Sequence, residues 1–284
     1  MILVFGKTGQ VATELRALLP DAVFLGRDEA DLSDPALCAQ KIALLKPGAV
    51  INAAAYTAVD KAETDEETAA LVNGAAPTEM AKACAALGIP FVHISTDYVF
   101  DGSGETPFTP DHPTAPLGAY GRTKLLGENG IRAAGGTCAI LRTSWVFSSH
   151  GNNFAKTMLR LGAERDKLTI VADQIGGPTP ARAIAQACVE IANRLKTEPN
   201  TAGTYHFSGA PDVSWADFAR AIFAEAGITC AVEDIPSSAY PTPAQRPGNS
   251  RMDCRSLKTA YGLDRPDWRA AVRTTINEVN ESHA

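Results

Sequence analysis

The sequence predicts an α/β fold: a doubly wound parallel sheet in residues 1–145, with a smaller C-terminal cap formed mainly by residues 146–284. Three observations predict it. Strand-length apolar runs alternate with helix-period segments through the first half, the pattern of a parallel sheet covered on both faces. Two glycines, Gly6 and Gly9, mark the first strand-to-helix junction. The alternation breaks after Trp145, so the later residues are expected over the carboxyl ends of the strands, where open α/β sheets take ligands. Caps of this kind exchange segments with the core, so some later residues are expected to return to it.

Ile2–Phe5 reads as the first strand and 11–19 as the first helix; Val23–Leu25, Pro35–Leu45 and 50–54 continue the alternation. Residues 64–87 are alanine-rich and read as one long helix, stopped by Gly88 with Pro90 beyond. Strand 91–95 follows. The Gly-, Pro- and Asp-rich stretch 101–117 is too long for a plain connector and reads as a functional segment. Residues 120–134 form the next helix and 138–142 the next strand. In the second half 153–161, 181–195, Trp215–Ala226 and 267–280 read as helices, with 173–180 irregular and 235–249 a proline-studded loop.

Composition excludes several classes. The 284 residues are 45% hydrophobic and 20% charged, with a net charge of −6 and no basic run. That leaves no electrostatic footprint for nucleic acid. No apolar stretch reaches the length of a membrane span. The chain enters its first strand without a secretory leader, so a cytoplasmic protein is expected. Six cysteines are scattered with no Cys-x-x-Cys pair, which argues for reduced thiols over a zinc site or a disulfide scaffold. The histidines lack metal-ligand spacing, and His93, inside an apolar strand, is expected as a packed core residue. The scattered acids define no magnesium site, so a magnesium requirement is not readable. Two long helices could pair as a homodimer face or stay solvated.

Gly6-x-x-Gly9-x-x-Ala12 follows a strand and opens a helix, the context a dinucleotide-binding turn requires. The first glycine permits the tight turn and the second lets backbone approach a pyrophosphate on the helix N-terminus. Gln10 and Val11 open that helix. The sheet is therefore of Rossmann type. Arg27, at the end of the second strand, suits the extra phosphate of NADPH, while the neighbouring Asp28 suits NADH. NADPH is the expected cofactor, with NADH a second. Asp31 and Leu32 are placed to flank the adenine. Ala53, Ala54 and Ala55 supply small side chains beside the cofactor, continued by Tyr56 and Thr57.

Tyr120 and Lys124 lie four residues apart and share a helix face. A free tyrosine titrates near about 10, and a nearby cation would bring that down. Thr96, at the end of the fourth strand, can hydrogen-bond a substrate carbonyl oxygen beside Tyr120. These are the Thr, Tyr and Lys of the short-chain dehydrogenase/reductase superfamily, which the chain resembles in its extended, nucleotide-sugar branch. The likeness narrows further. Phe5-Gly-Lys-Thr-Gly-Gln-Val11, the run from Asn52 to Glu63, Ser95-Thr-Asp-Tyr-Val-Phe-Asp-Gly102, Arg142-Thr-Ser-Trp-Val-Phe147 and Asn153-Phe-Ala-Lys-Thr-Met158 resemble the dTDP-4-dehydrorhamnose reductase family. Asp173-Gln-Ile-Gly176 and Arg246-Pro-Gly-Asn-Ser-Arg251 do so as well.

The resemblance implies reduction of the 4-keto group of a dTDP-6-deoxy-hexulose to dTDP-L-rhamnose with NADPH or NADH. It implies that Tyr120 protonates the new alkoxide, that Lys124 tunes Tyr120 and holds the nicotinamide ribose, and that Thr96 polarises the ketone. Asp97 would line the sugar site, and Trp145 would either pack against the sugar or serve as a core tryptophan. Asn73 would support the lysine or be an ordinary helix residue. Arg246 and Arg251 are candidates for phosphate or base contacts, or ordinary surface arginines. A related dehydratase places Glu after the Thr-Asp pair, where this chain has Tyr98. An epimerase or a non-catalytic nucleotide-binding subunit remain alternatives, against which the intact Thr96, Tyr120 and Lys124 count.

Overall fold

The computed structural model describes residues 1–281. Six strands form the central sheet: β1 (Ile2–Phe5), β2 (Val23–Leu25), β3 (Ala49–Asn52), β4 (Phe91–Thr96), β5 (Cys138–Thr143) and β6 (Gly203–His206). Their order is β2-β1-β3-β4-β5-β6 and every pairing is parallel. The register sets Phe5 beside Leu25 and Asn52, Asn52 beside His93, and Thr96 beside Thr143. The carboxyl ends that carry chemistry therefore lie along one edge.

Alternation of side chains along a strand divides the apolar residues between two layers. Leu3, Phe5, Val50 and Phe91 pack under α2 (Pro35–Leu45) and α3 (Ala76–Leu87). Ile2, Val4, Ile51 and Leu141 pack on the other face, under α1 (Gln10–Leu18) and α5 (Ala181–Thr197). The near-continuous burial of the strands is what a sheet covered on both sides demands. Helix α4 (Ala119–Ala134) lies against α3 and β4 and ends at Gly135, whose φ of 70° suits glycine.

A third core, separate in its residues, joins the helices Phe154–Glu164, Trp215–Ala226 and Trp268–Glu281 to a parallel strand pair, Lys167–Val171 and Ala231–Ile235. The middle helix is capped by Ser214, which accepts from the Asp217 amide, and stops at Gly227. Between these later elements, α5 and β6 belong to the main sheet.

Two features differ from the sequence reading. The expected single helix over 64–87 is a short helix, Glu66–Ala70, a π-turn, Leu71–Ala75, and then α3. Pro77 has no amide proton to give Asn73, so the regular ladder is interrupted there. Neither β6 nor the strands Lys167–Val171 and Ala231–Ile235 were expected, since polar and half-exposed residues interrupt their apolar pattern. Among the described residues no helix is long and apolar enough to cross a membrane.

Candidate active site

The turn between β1 and α1 is shaped for a close backbone approach. Gly6 has φ 111°, and its amide donates to the Leu25 carbonyl at 2.9 Å. A Cβ on Gly6 would lie 3.2 Å from the Ala53 carbonyl group, so the turn and the end of β3 leave no room for a side chain. Gly9 caps α1, and a Cβ there would meet nothing within 4 Å. That open space faces the helix N-terminus, whose first turn carries no acid. It fits a diphosphate. Val11 is buried behind it. Gln10 reaches across to the second half, where its Oε1 accepts from Ser148 Oγ at 2.8 Å and Asn153 Nδ2 at 2.9 Å.

At the end of β2 Arg27 and Asp28 are exposed; the Ser33 amide holds the Asp31 carboxyl below its ordinary value against burial, with the Ser33 hydroxyl and Arg27 adding to the pull. Leu32 packs into the core under α2. The sequence reading missed Lys7 and Glu29, which pair at 2.9 Å beside this turn while Glu29 accepts from the Gly26 amide. Ala53, Ala54 and Ala55 form a partly exposed floor. Tyr56 is fixed by Asn73, which accepts from its amide at 2.8 Å and donates to its carbonyl at 3.1 Å; Thr57 is exposed. Asn73 sits in the π-turn, and its Nδ2 also donates to Thr123 Oγ1 on α4. It thus ties the cofactor-side floor to α4 and makes no direct bond to Lys124.

The structure brings Thr96, Asp97 and Tyr120 together. Thr96 ends β4; its hydroxyl donates to Asp97 Oδ1 at 3.1 Å and accepts from the Tyr98 amide. Asp97 is buried, and its Oδ2 has no hydrogen-bond partner among the described residues. Burial pushes its carboxyl up to about 6, against the opposing pull of nearby Ser250 and Thr96. Tyr120, in the first turn of α4, meets Tyr98 edge-on with ring centroids 5.4 Å apart. Burial raises the Tyr120 phenol, aided by Asp97 and Tyr98 and opposed by Thr96.

Lys124 differs from expectation. Its side chain is buried, and Nζ lies 3.0 Å from His93 Nε2 and 2.7 Å from the Ile94 carbonyl. It is turned toward β4, so it does not bring Tyr120 down here. Burial lowers its own ammonium to about 8, with Glu128 opposing. His93 is the buried core residue the sequence suggested, but it is also the partner of Lys124, which the sequence reading did not foresee. Below it, Glu128 is clamped by Arg142 at 2.6 Å and by Ser95 at 2.7 Å, holding α4 to β4 and β5.

Trp145 has φ 50°, a left-handed conformation rare for a bulky residue and typical of constrained sites. Its ring stacks on Trp215 at 3.5 Å and lies over Gly176. The loop 101–117 is laced to the proline-rich loop: Asn249 donates to the carbonyls of Gly102, Ser103 and Thr106, and Phe108 bridges Met252. Arg246 pairs with Asp60 at 2.8 Å but keeps Nη1 buried and unpartnered; Arg251 is taken up by Asn249. Among the described residues no group of three or more His, Cys, Asp or Glu could hold a metal ion.

A parallel sheet with a glycine nucleotide turn and a Thr–Tyr–Lys set at the carboxyl end of β4 defines a nicotinamide-dependent oxidoreductase of the extended short-chain type. Residues 1–281 match the RmlD substrate binding domain family. A dTDP-4-dehydrorhamnose reductase of Burkholderia thailandensis is 45% identical, with 98% of each chain covered. Among solved structures, the dTDP-4-dehydrorhamnose reductase of Clostridium acetobutylicum superposes with a TM-score of 0.91 at 34% identity, covering 98% of this chain and 99% of that one. The Bacillus anthracis enzyme, solved in complex with NADP, gives 0.90 at 32% identity over 98% of both chains. The chain belongs to the RmlD family, that of the dTDP-4-dehydrorhamnose reductases.

Proposed function

We infer that the chain reduces the 4-keto group of dTDP-4-dehydro-6-deoxy-L-mannose to give dTDP-L-rhamnose, the last step of dTDP-rhamnose formation. The observation that carries this is the family match through both halves of the chain, with Thr96, Asp97 and Tyr120 clustered and Ser250 of the second half beside Asp97. The sugar nucleotide and the product configuration are taken from the relatives.

NADPH is the proposed cofactor, with NADH as a second; when bound it supplies the hydride. Gly6, Gly9, Gln10 and Val11 would hold its diphosphate side, and Arg27 its extra phosphate, near Asp31 and Leu32. Ala53, Ala54, Ala55, Tyr56 and Thr57 would line its path toward Lys124. Thr96 turns its hydroxyl proton from Asp97 Oδ1 to the ketone oxygen, and Tyr120 gives that oxygen its proton. A phenol kept high by burial stays protonated at neutral pH, the state an acid in the reducing direction needs. Asp97 accepts from a sugar hydroxyl through its unpartnered Oδ2. The Trp145–Trp215 stack presents an aromatic wall to the sugar. Tyr98, pushed up to about 12 by burial, stays neutral where elimination of water would call for a carboxylate.

On this reading residues 1–145 bind the cofactor and 146–284 mainly the substrate, with α5 and β6 serving the sheet. Six unbonded cysteines suit a reducing cytoplasm. The test is product analysis. Incubation with NADPH and the 4-keto sugar made in situ is expected to yield one dTDP-L-rhamnose per NADPH consumed. An epimerised or dehydrated sugar without NADPH consumption would overturn the reading.

A further inference from the structure

Three polar side chains link the end of β3 and the middle of β4 to α4. Register sets Asn52 beside His93 on the same face of the sheet, and α4 lowers Lys124 onto that face. The Asn52 amide is oriented by its surroundings: Oδ1 accepts from the Ala54 amide at 3.1 Å, so Nδ2 is the atom turned to His93 Nδ1, 3.1 Å away. Nδ2 can only donate, so Nδ1 must accept and carries no proton. In a neutral imidazole the proton then sits on Nε2, the nitrogen 3.0 Å from Lys124 Nζ. A protonated His93 would set Nδ1–H against the Asn52 donor, and burial already holds the ring well below its ordinary range. An N–H pointing at Nζ meets a lone pair if the lysine is an amine and another donor if it is an ammonium. Nζ in turn donates to the Ile94 carbonyl at 2.7 Å.

We propose that Asn52 and His93 are positioning residues that favour the uncharged amine of Lys124 in the cofactor-free protein, by presenting the His93 Nε2–H to Nζ. Lys124 then gives up its proton at a lower pH than a surface lysine. The chain of donors runs one way, from the Ala54 amide through Asn52 and His93 to Lys124 and on to the Ile94 carbonyl. To act as the cation beside Tyr120, Lys124 takes one proton from solvent on Nζ and gives up its bond to His93. Burial of Nζ works in the same direction. The acid facing Lys124 is Glu128, one turn further along α4, and its charge is already met by Arg142 from β5 and by Arg132. Among the described residues no second carboxylate offsets the donor from β4. The inference rests on reading Lys124 as the partner of Tyr120.

The test is an NMR titration of the full chain labelled with 13Cε-lysine, free of cofactor and sugar, with Lys124 assigned through a Lys124→Arg variant. In the wild type its resonance is expected to titrate near about 8, roughly two pH units below surface lysines. In His93→Gln, whose carbonyl can accept from an ammonium, and in Asn52→Asp, which accepts from Nδ1–H and so turns Nε2 into an acceptor, the midpoint is expected to rise by about one unit or more. Titration with the surface lysines in the wild type, or an unmoved midpoint in both variants, overturns the proposal. A second measurement needs no substitution: the 15N shifts of His93 are expected to report a protonated Nε2, and a protonated Nδ1 contradicts the chain. Neither experiment involves turnover, so a failed reductase assay and a failed titration are separate outcomes.

Discussion

Asp97 should make the folded protein less stable than it could be, and an Asp97→Asn variant exposes this. The carboxyl rises from an ordinary 3.8 to about 6, chiefly through burial. Between those values the folded chain keeps a proton that the unfolded chain has released, so stability falls as pH rises through the window and stays reduced above it. At about 1.4 kcal/mol per pH unit the charged group costs on the order of 3 kcal/mol at neutral pH. An amide keeps the oxygen that accepts from Thr96 Oγ1 and removes the charge, but its NH2 replaces an oxygen with no partner. The net gain expected near about pH 7.5 is therefore about 1–3 kcal/mol, or a melting temperature higher by roughly 2–8 °C. Near about pH 4 both folded proteins carry a neutral group, so the gain from removing the charge should be gone and the variant should be no more stable than wild type. The same variant should lose roughly 10–100-fold in kcat/KM, the worth of a charged hydrogen bond to the sugar. Thermal melts at the two pH values check the first part and steady-state kinetics the second. A difference in melting independent of pH, or a variant less stable at both, would refute the reasoning.

Arg142→Met leaves Glu128 buried without its bidentate partner and is expected to cost about 3–5 kcal/mol by urea melts, with Glu128→Leu added on top restoring part of the loss. Burial would raise the Glu128 carboxyl but Arg142 holds it below its ordinary value, so this pair's stabilisation is present above the usual carboxylate range and lost as pH falls below it. Gly9→Val fills open space at an ordinary φ of −70°, so its melting curve should stay within about 1 kcal/mol of wild type. Its NADPH affinity, measured by calorimetry, should fall by an order of magnitude or more, because the branched side chain occupies the space proposed for the diphosphate. Arg27→Ala should raise KM for NADPH roughly 10–100-fold and leave KM for NADH nearly unchanged, the loss of one charged contact to a phosphate.

How much of this was legible in the sequence depends on how far apart the cooperating residues lie. The nucleotide turn is local: Ile2–Phe5, Gly6, Gly9 and the helix behind them declare themselves within a few residues of one another. Tyr120 at the start of α4 and Thr96 at the end of β4 follow from strand and helix periodicity with a resemblance to guide the pairing. The direction Lys124 takes does not. It depends on the register that sets Asn52 beside His93 and on the packing of α4 over β4. Asn52 at the end of β3 and His93 inside the apolar start of β4 were the available hint. The π-turn hinges on Pro77, a single missing donor inside an alanine-rich run. The cap strands Lys167–Val171 and Ala231–Ile235 gain order by pairing with each other and packing on the helix Trp215–Ala226, which periodicity cannot report.

The reduction and its acid are tested together by NADPH oxidation with the 4-keto dTDP-sugar, run on the wild type and on Tyr120→Phe. The account predicts turnover in the wild type and a fall of about 10²–10⁴-fold in kcat for the variant, the usual worth of a positioned acid, with NADPH binding unchanged. A variant that turns over at the wild-type rate, or a wild type that binds NADPH and leaves this sugar untouched, would contradict it.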